Sequence, residues 1–216
     1  MPFVIPVTDA DASDKVAQAY SRIREVLETD DIPEIFRYFA VAPAFLHDFF
    51  MNFRKFVLSE GKLDQKRKFL VAVAVAGQAG SQRWLSYLQT FAEARGVTQA
   101  EMADALAVGA TNSMYNVLFK FRDISGSDVF GGMGVGLRAH TFHSTSLDDS
   151  TVELINLCLS DINGCKPCTA AHVQKARDIN LHDEAIHEAI QCAATMICGT
   201  QFLRSIGADT VPAATV

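Results

Sequence analysis

Residues 164–172, with the sequence GCKPCTAAH, contain two cysteines three positions apart and a histidine four positions after the second cysteine. An Asn-Gly pair just before the first cysteine is typical of a turn, and the residues that follow predict a helix whose first turn holds both thiols. The unpaired amides and the dipole at a helix start favour a thiolate. His172, at i+4 from Cys168, shares its face and could take its proton, and Cys165 could attack an oxidised Cys168 to close a disulfide. The pattern favours a dithiol redox centre.

The same residues allow other interpretations. Free cysteine is among the most frequently buried residue types, so these side chains could be buried and do no chemistry. They could also bind a metal ion together with a carboxylate, although no second C-x-x-C or H-x-x-x-H pattern completes such a ligand set. Covalent haem attachment is excluded because Thr169, and not a histidine, follows Cys168. A thioredoxin fold is excluded because the chain lacks a βαβ context.

Glu153, on the preceding predicted helix, is a candidate third member of the site. It lies among apolar residues, and at helical spacing it shares a face with Leu157. It could be an exposed first-turn residue that the helix dipole favours. It could instead be a carboxylate that faces the next helix and orients or protonates His172. The rival carboxylates are expected to cap or end helices: Asp148, Asp149 and Asp161.

The composition is that of a globular protein of 216 residues, with 49% hydrophobic and 20% charged residues. The net charge of −6 and the lack of long basic clusters exclude a nucleic-acid surface. We expect a cytoplasmic protein with no membrane partner, because no secretory signal and no apolar stretch of bilayer length is recognisable. Five cysteines, an odd number in a reducing compartment, argue against a structural disulfide framework.

Almost every segment has helical periodicity, so the predicted fold class is all-α. Pro33 and Pro43 are expected to open two early helices, and the later ones are expected near 64–79, 82–95, 99–121, 148–162, 165–179 and 183–205. The run LVAVAVA, residues 70–76, predicts a buried helix. The glycine-rich, structure-poor stretch 124–136 predicts a connector. The phenylalanine-rich segment FLHDFFMNF, residues 45–53, is expected to pack against the core or against another subunit.

The other cysteines and the other C-terminal histidines are predicted to be outside the site. Apolar helical runs surround three cysteines that we predict to be core residues: Cys158, Cys192 and Cys198. His140 and His143 flank the connector and are expected to be partly exposed, although they could line the cleft. His182 is expected near a helix cap and His187 on a solvated face.

Two segments of the chain resemble each other without a gap. An offset of 164 − 80 = 84 places residues 80–106 on residues 164–190 and Gly80 on Gly164. The ungapped register across successive helices and turns predicts an internal duplication. The chemistry is not duplicated, because Cys165, Cys168 and His172 correspond to Ser81, Trp84 and Leu88.

Glu153 and the C-x-x-C-x-x-x-H pattern resemble the alkyl hydroperoxidase D (AhpD) core within the carboxymuconolactone decarboxylase-like superfamily. That core has a glutamate, then eleven residues, then C-x-x-C-x-x-x-H, and here 165 − 153 = 12 gives the same spacing. Residues 112–123, NSMYNVLFKFRD, are similar to the family's segment before the connector. The resemblance covers roughly residues 62–205, and the N-terminal helices are similar to the extension of longer members.

The resemblance implies an all-helical fold with an internal repeat, assembled as trimers or hexamers. It implies that Cys168 attacks a peroxide, that Cys165 resolves the oxidised thiol, and that His172 and Glu153 relay protons. A dihydrolipoyl group or another thiol reductant would regenerate the dithiol. The chemistry requires no metal or bound cofactor. The best-studied members carry a histidine immediately before the second cysteine, where this chain has Pro167.

The sequence therefore predicts one compact all-α, AhpD-like domain in five parts: an N-terminal extension (1–61), a degenerate first repeat (62–123), a connector (124–146), an active second repeat (147–205) and a tail (206–216). Its predicted function is the reduction of small hydroperoxides, or of disulfides, by the dithiol. The expected partners are a dithiol reductant such as a lipoylated protein, a peroxiredoxin and further copies of the chain. The alternatives are a carboxymuconolactone decarboxylase-like enzyme, although that branch does not depend on a C-x-x-C pair, and a non-enzymatic redox-sensing or metal-binding helical oligomer.

Overall fold

A computed structural model describes residues 4–209 as helices joined by turns, with no β-strand among them. The α-helices are α1 (Asp14–Leu27), α2 (Glu34–Phe39), α3 (Pro43–Phe53), α4 (Gln65–Gln78), α5 (Gln82–Ala92), α6 (Gln99–Ile124), α7 (Asp128–Gly132), α8 (Asp149–Ile162), α9 (Lys166–Asp178) and α10 (Asp183–Ser205). A π-helical turn follows α3 at Arg54–Leu58, and 3₁₀ turns cover Glu93–Arg95 and His140–Phe142. None of the helices in this range has the length and apolar composition needed to span a bilayer. The all-α prediction is confirmed.

The observed helices begin and end within a few residues of the predicted ones, with one difference in the connector. The stretch 124–136 is predicted to be a structure-poor connector, and one short helix, α7, forms within it. The ring of Phe130 on α7 packs against Phe121 on α6 with centroids 4.9 Å apart, and this apolar contact holds the short helix. The boundaries of the five predicted parts stay predictions, and residues 210–216 of the tail lie outside the described residues.

The helical arrangement repeats along the chain. Helices α4, α5 and α6 begin 84 residues before α8, α9 and α10, since 149 − 65, 166 − 82 and 183 − 99 all equal 84. The turns repeat as well: Gly80 and Gly164 have φ of +69° and +63°, and Gly96 and Asn180 have φ of +62° and +65°. Glycine and asparagine stand there because they adopt the left-handed backbone at low cost. The predicted duplication is therefore present in the fold.

Two helices with no solvent-exposed face along their middle turns form the centre of the core. On α4 the residues from Lys68 to Ala76 are all buried, and on α8 those from Thr151 to Ser160 are all buried. A helix that is buried on every side must be surrounded by other elements, and α4 and α8 pack against each other and against α6 and α10. The run LVAVAVA is the buried helix that the sequence predicts. Glu153 lies within the buried part of α8.

Aromatic side chains attach the N-terminal helices to this core. The rings of Phe39 and Phe49 lie 4.7 Å apart, and that of Phe53 lies 5.4 Å from Trp84 on α5. The phenylalanine-rich segment therefore packs against the core of its own chain, the first of its two predicted alternatives. Trp84 is fully buried among these rings at the position that corresponds to Cys168. The first repeat is thus filled by an aromatic side chain where the second repeat carries Cys168.

An ion pair between a buried lysine and a partly exposed glutamate joins α4 to α10. The Nζ atom of Lys68 lies 2.9 Å from Oε2 of Glu188, and the amides of Lys62 and Leu63 donate to the two oxygens of this carboxylate at 3.0 Å. Burial alone would raise the pKa of Glu188, but the two amides and the Lys68 ammonium lower it to about 2. The carboxylate therefore holds the loop before α4 against α10.

Replacing Glu188 by glutamine is expected to lower the free energy of unfolding by about 3 kcal/mol at pH 7. The Glu188 pKa is about 2 in the folded protein and 4.5 ordinarily. Its stabilisation is therefore complete above pH 4.5 and is lost as the pH falls toward 2. Urea unfolding at several pH values should show that the difference in the free energy of unfolding between parent and variant disappears over that interval. Glu184→Gln, which alters an exposed carboxylate on the same helix, is the control, and an equal loss in both variants would contradict the prediction.

Candidate active site

The turn between α8 and α9 places both cysteines at the start of α9. Gly164 occupies the left-handed position of the turn, and the amide of Cys165 donates to the carbonyl of Ser160 at 3.0 Å. Cys165 is the residue before the first helical position, and Pro167 stands in the first turn, where a missing amide has no intrahelical partner to lose. Both sulfurs therefore lie at the helix start that the sequence predicts.

The two cysteines form a disulfide whose Cα atoms are 5.3 Å apart. Cys165 has no exposed surface, whereas 7% of Cys168 is exposed. Cys168 also lines a cavity, and Cys165 is not among the residues that line it. The sulfur that a small molecule can reach is therefore that of Cys168.

Glu153 faces α9 and contacts two of its side chains. It has no exposed surface, so its interpretation as an exposed first-turn residue is wrong. Its Oε1 lies 2.5 Å from Nδ1 of His172, and its Oε2 lies 2.7 Å from Nζ of Lys175. Burial alone would raise the pKa of Glu153, but the interactions with His172 and Lys175 lower it below its ordinary value. A buried carboxylate is thus kept ionised one helix away from the dithiol.

A cavity of about 380 Å³ opens beside Cys168. Three of its lining residues are aromatic: Tyr115 and Phe119 on α6, and Phe142 in the connector. The hydroxyl of Tyr115 donates to the carbonyl of Leu137 at 2.9 Å, which ties the connector to α6. The remaining lining residues are Asn112, Asn116, Pro167, Ala171 and His172. A mainly apolar cavity with few polar groups is typical of a site for a small organic molecule.

A larger cavity, of about 910 Å³, lies between α1 and α3. It is lined by residues such as Lys15, Arg22 and Phe50 and by none of the site residues predicted from the sequence. Chemistry, rather than size, therefore identifies the cavity beside Cys168 as the candidate active site.

Buried amides hold α6 against α8 and against the turn before the dithiol. The side-chain amides of Asn112 and Asn116 donate to Oγ of Ser160 at 3.3 and 3.0 Å. Asn163, in the turn itself, donates to Oδ1 of Asn116 at 2.9 Å, and its carbonyl accepts from Nζ of Lys120 at 2.9 Å. These bonds connect the cavity wall to the segment that positions both cysteines, so the wall and the dithiol are held in one arrangement.

The other cysteines differ in their accessibility. Cys158 and Cys192 are buried, as predicted, and burial raises the pKa of both thiols, that of Cys192 to about 12. The prediction that Cys198 is a core residue is wrong, because it is exposed. On α10 the buried face includes Cys192, Met196 and Gly199, and Cys198 falls on a different side of the helix. Thiols with a raised pKa react slowly, which sets Cys158 and Cys192 apart from the dithiol.

The histidines that flank the connector and the aspartate before α8 occupy the expected positions. His140 and His143 are exposed, and the connector residue that lines the cavity is Phe142, between them. Asp148 caps α8 by accepting from the amide of Thr151 at 2.8 Å. Within the described part of the chain, no group of three or more His, Cys, Asp or Glu side chains is arranged to hold a metal ion.

Several residues of the site were not identified from the sequence. Lys175 stands at i+3 from His172, a spacing that puts both on one face of α9 and could have indicated a shared partner. The α6 wall has a similar signal, because its four cavity residues follow the helical spacing i, i+3, i+4, i+7: Asn112, Tyr115, Asn116 and Phe119. Phe142 has no such signal, because its position depends on the path of the connector.

The sequence model of the carboxymuconolactone decarboxylase family matches residues 45–119 and 133–209, which together make up more than half of the chain. The chain belongs to this family. Within the carboxymuconolactone decarboxylase family it is similar to proteins called alkyl hydroperoxide reductase AhpD. The relative from Anaeromyxobacter sp. (strain K) is 32% identical over 158 residues, which are 73% of this chain and 84% of the relative. The relative from Koribacter versatilis is 27% identical over 155 residues, 71% of this chain and 79% of the relative.

A solved structure shows the same fold. It is described as an alkylhydroperoxidase AhpD core, an uncharacterized peroxidase-related protein from Ralstonia eutropha JMP134. The two chains superpose with a TM-score of 0.54 over 97% of this chain and 95% of the other, at 13% sequence identity. The AhpD-like fold that the sequence predicts within the carboxymuconolactone decarboxylase family is confirmed.

Proposed function

We propose that this protein reduces small organic hydroperoxides through a Cys165–Cys168 disulfide cycle. The observation that carries the proposal is the position of Cys168, which lines an apolar cavity together with His172, while Cys165 is bonded to it and fully buried. His172 in turn contacts the buried carboxylate of Glu153. The AhpD name of the relatives supports the same chemistry.

The first half of the cycle oxidises Cys168. Because Nδ1 of His172 is engaged by Glu153, Nε2 takes the proton of the reduced Cys168 thiol. The thiolate attacks the terminal oxygen of the hydroperoxide, so that an S–O bond forms and the O–O bond breaks. The departing alkoxide takes the proton from Nε2 of His172 and leaves as an alcohol, and Cys168 is left as a sulfenic acid.

The second half closes and reopens the disulfide. The Cys165 thiol attacks the sulfur of the sulfenic acid, and hydroxide leaves as water with the proton of Cys165. A dithiol reductant, such as the dihydrolipoyl group of a lipoylated protein, then attacks the disulfide and returns both thiols. We expect this attack at Cys168, the more exposed sulfur. A supply of reduced dithiols is a property of the cytoplasm, where we propose that the protein works.

The cavity indicates the class of hydroperoxide. Three of its lining residues are aromatic, and none is acidic. An alkyl or arylalkyl group can therefore be buried in the cavity without leaving a charged side chain of the protein unpaired. Cumene hydroperoxide, which is small and aromatic, is a suitable probe.

A carboxymuconolactone decarboxylase-like reaction is the second candidate, and the family match favours it. Glu153 and His172 would then act as acid and base on a lactone, and the cysteines would have no chemical role. This candidate predicts carbon dioxide release from carboxymuconolactone that is unchanged in Cys168→Ser. The peroxidase proposal predicts no such release.

Thiol counting tests the proposed function. Reduced protein mixed with cumene hydroperoxide should rapidly lose two of its five thiols and produce one equivalent of alcohol, with turnover when dihydrolipoamide is added. Cys198→Ser, which removes the exposed thiol outside the site, should lose the same two. If the parent loses no thiol rapidly, the proposal is wrong. If it loses two but no dithiol supports turnover, the redox-sensing alternative is favoured.

We also propose that copies of the chain associate through one apolar surface. Of the eight exposed large hydrophobic residues among the described residues, seven lie between positions 114 and 137: Met114, Val117, Phe121, Ile124, Val129, Met133 and Leu137. Such a concentration is typical of a homo-oligomer interface. Light scattering should give the mass of an oligomer for the parent and a lower mass for Val117→Asp, and a monomeric parent would contradict the proposal.

A further inference from the structure

The carboxylate of Glu153 has two cationic partners with different properties. It is fully buried, and each of its oxygens contacts one of them: Oε1 contacts Nδ1 of His172 and Oε2 contacts Nζ of Lys175. The imidazole gains and loses a proton in the proposed cycle. The ammonium of Lys175, whose side chain is 55% exposed, takes no part in that proton transfer.

This difference affects the position of the protons. When His172 is neutral and acts as a base, the proton must be on Nδ1 and the lone pair on Nε2. A buried carboxylate with no other cation would be stabilised by taking the Nδ1 proton while Nε2 binds a further proton from solvent, because an uncompensated buried charge is costly. The lone pair would then be on Nδ1, and Nε2 would carry the proton and could not accept one from Cys168. The positive charge of Lys175, which lies 2.7 Å from Oε2, opposes that transfer.

We propose that Lys175 is a positioning residue that keeps Glu153 ionised and thereby keeps His172 in the tautomer that can accept a proton from Cys168. The proposal rests on the proposed function, because it assigns Lys175 a part in activating the same thiol. Lys175 contacts neither the cavity nor the cysteines in the described residues and acts through Glu153.

The other ionisable side chains around this pair have partners elsewhere. His172 and Lys175, both on α9, are the charged groups that interact with Glu153 in the described residues. Towards the cavity, α6 contributes amides, a phenylalanine and the phenol of Tyr115, and the connector contributes Phe142. Ionisable groups on the neighbouring helices α4, α6 and α10 have partners of their own, among them Lys68 with Glu188, Arg67 with Asp64 and Asp148, Lys120 with the carbonyl of Asn163, and Tyr115 with the carbonyl of Leu137.

The pH dependence of Cys168 alkylation tests this role without relying on peroxidase activity. The rate of reaction with iodoacetamide is measured from pH 5 to 10, a range of about five units around the ordinary thiol pKa, in reduced Cys165→Ser protein. Adding Lys175→Met should move the midpoint of the profile to higher pH by about one unit. Lys175→Arg keeps the charge and should restore the midpoint of the parent. Arg177→Met removes an exposed charge two residues away on α9, where Arg177 pairs with Asp183, and should leave the midpoint unchanged.

Hydroperoxide kinetics provide the second readout. In the protein with both cysteines, Lys175→Met should lower kcat/KM for cumene hydroperoxide about tenfold on the acid limb of the pH profile, and the difference should vanish at high pH. A residue that merely stabilised the fold would lower the melting temperature and leave both profiles in place. An unchanged alkylation midpoint in Lys175→Met would overturn the role of Lys175. A parent that reduces no hydroperoxide would instead overturn the proposed function, and the alkylation profiles would still decide whether Lys175 positions the pair.

Discussion

Replacing Cys168 by serine is expected to lower kcat/KM for cumene hydroperoxide by at least about a thousandfold. Cys168 is the accessible member of the pair and the one that lines the cavity with His172. A serine hydroxyl is not ionised near neutral pH and cannot form the S–O bond on which the cycle depends. Stopped-flow measurement of peroxide consumption would show the loss, and the helical circular-dichroism spectrum would show that the variant still folds.

The matched variant Cys165→Ser should behave differently. Its Cys168 should react with one equivalent of hydroperoxide at about the rate of the parent and then stop as a sulfenic acid, which dimedone traps. No thiol is left beside it to form the disulfide seen in the structure. Rapid peroxide consumption by Cys168→Ser, or a sulfenic acid on Cys165 instead of Cys168, would show that the two roles are assigned wrongly.

Replacing Glu153 by glutamine is expected to lower kcat/KM about a hundredfold. Glutamine has the size of glutamate, and its carbonyl can still accept a hydrogen bond from Nδ1 of His172. It lacks the negative charge that stabilises the imidazolium, so the proton acceptor of Cys168 is weakened. The loss should exceed that of Lys175→Met, because Glu153 contacts the imidazole directly and Lys175 contacts only the carboxylate.

A control on the same helix separates this effect from a loss of stability. Asp161→Asn removes an exposed carboxylate near the end of α8 and should leave kcat/KM unchanged. Lys175 is 55% exposed, so water can solvate its ammonium when the residue at position 153 carries no charge. We therefore expect Glu153→Gln to fold. An activity within about threefold of the parent in folded Glu153→Gln would remove Glu153 from the proton relay.

The fold could be predicted almost completely because its signals are local. Helical periodicity locates α4 to α6 and α8 to α10, and the left-handed turns at Gly80 and Gly164 mark where helices end. The offset of 84 residues is a property of the sequence itself and reappears unchanged in the helix starts. The short helix α7 within the connector has no such local signal, and its Phe130 ring contacts Phe121 on α6.

The candidate site was predictable only where its members are spaced along one helix or one motif. Cys165, Cys168 and His172 follow helical spacing, and Glu153 is a candidate from its place among apolar residues on the preceding helix and from the spacing of the AhpD core. Cys198 was misplaced because an Ala-rich helix such as α10 carries little information about which of its sides faces the core. Phe142 was missed because the fold of a connector depends on what it packs against.

The sequence by itself determined which groups could do chemistry here: a dithiol at a helix start, a base one turn later and a carboxylate on the helix before. Only the tertiary structure decided what surrounds them. Because α8 is buried on all sides, Glu153 is removed from water, and its carboxylate contacts both His172 and Lys175. Because α6 and the connector close over α9, Cys168 meets an apolar cavity while Cys165 is fully covered. Burial depends on how helices pack against one another, so residues far apart in the sequence decide it.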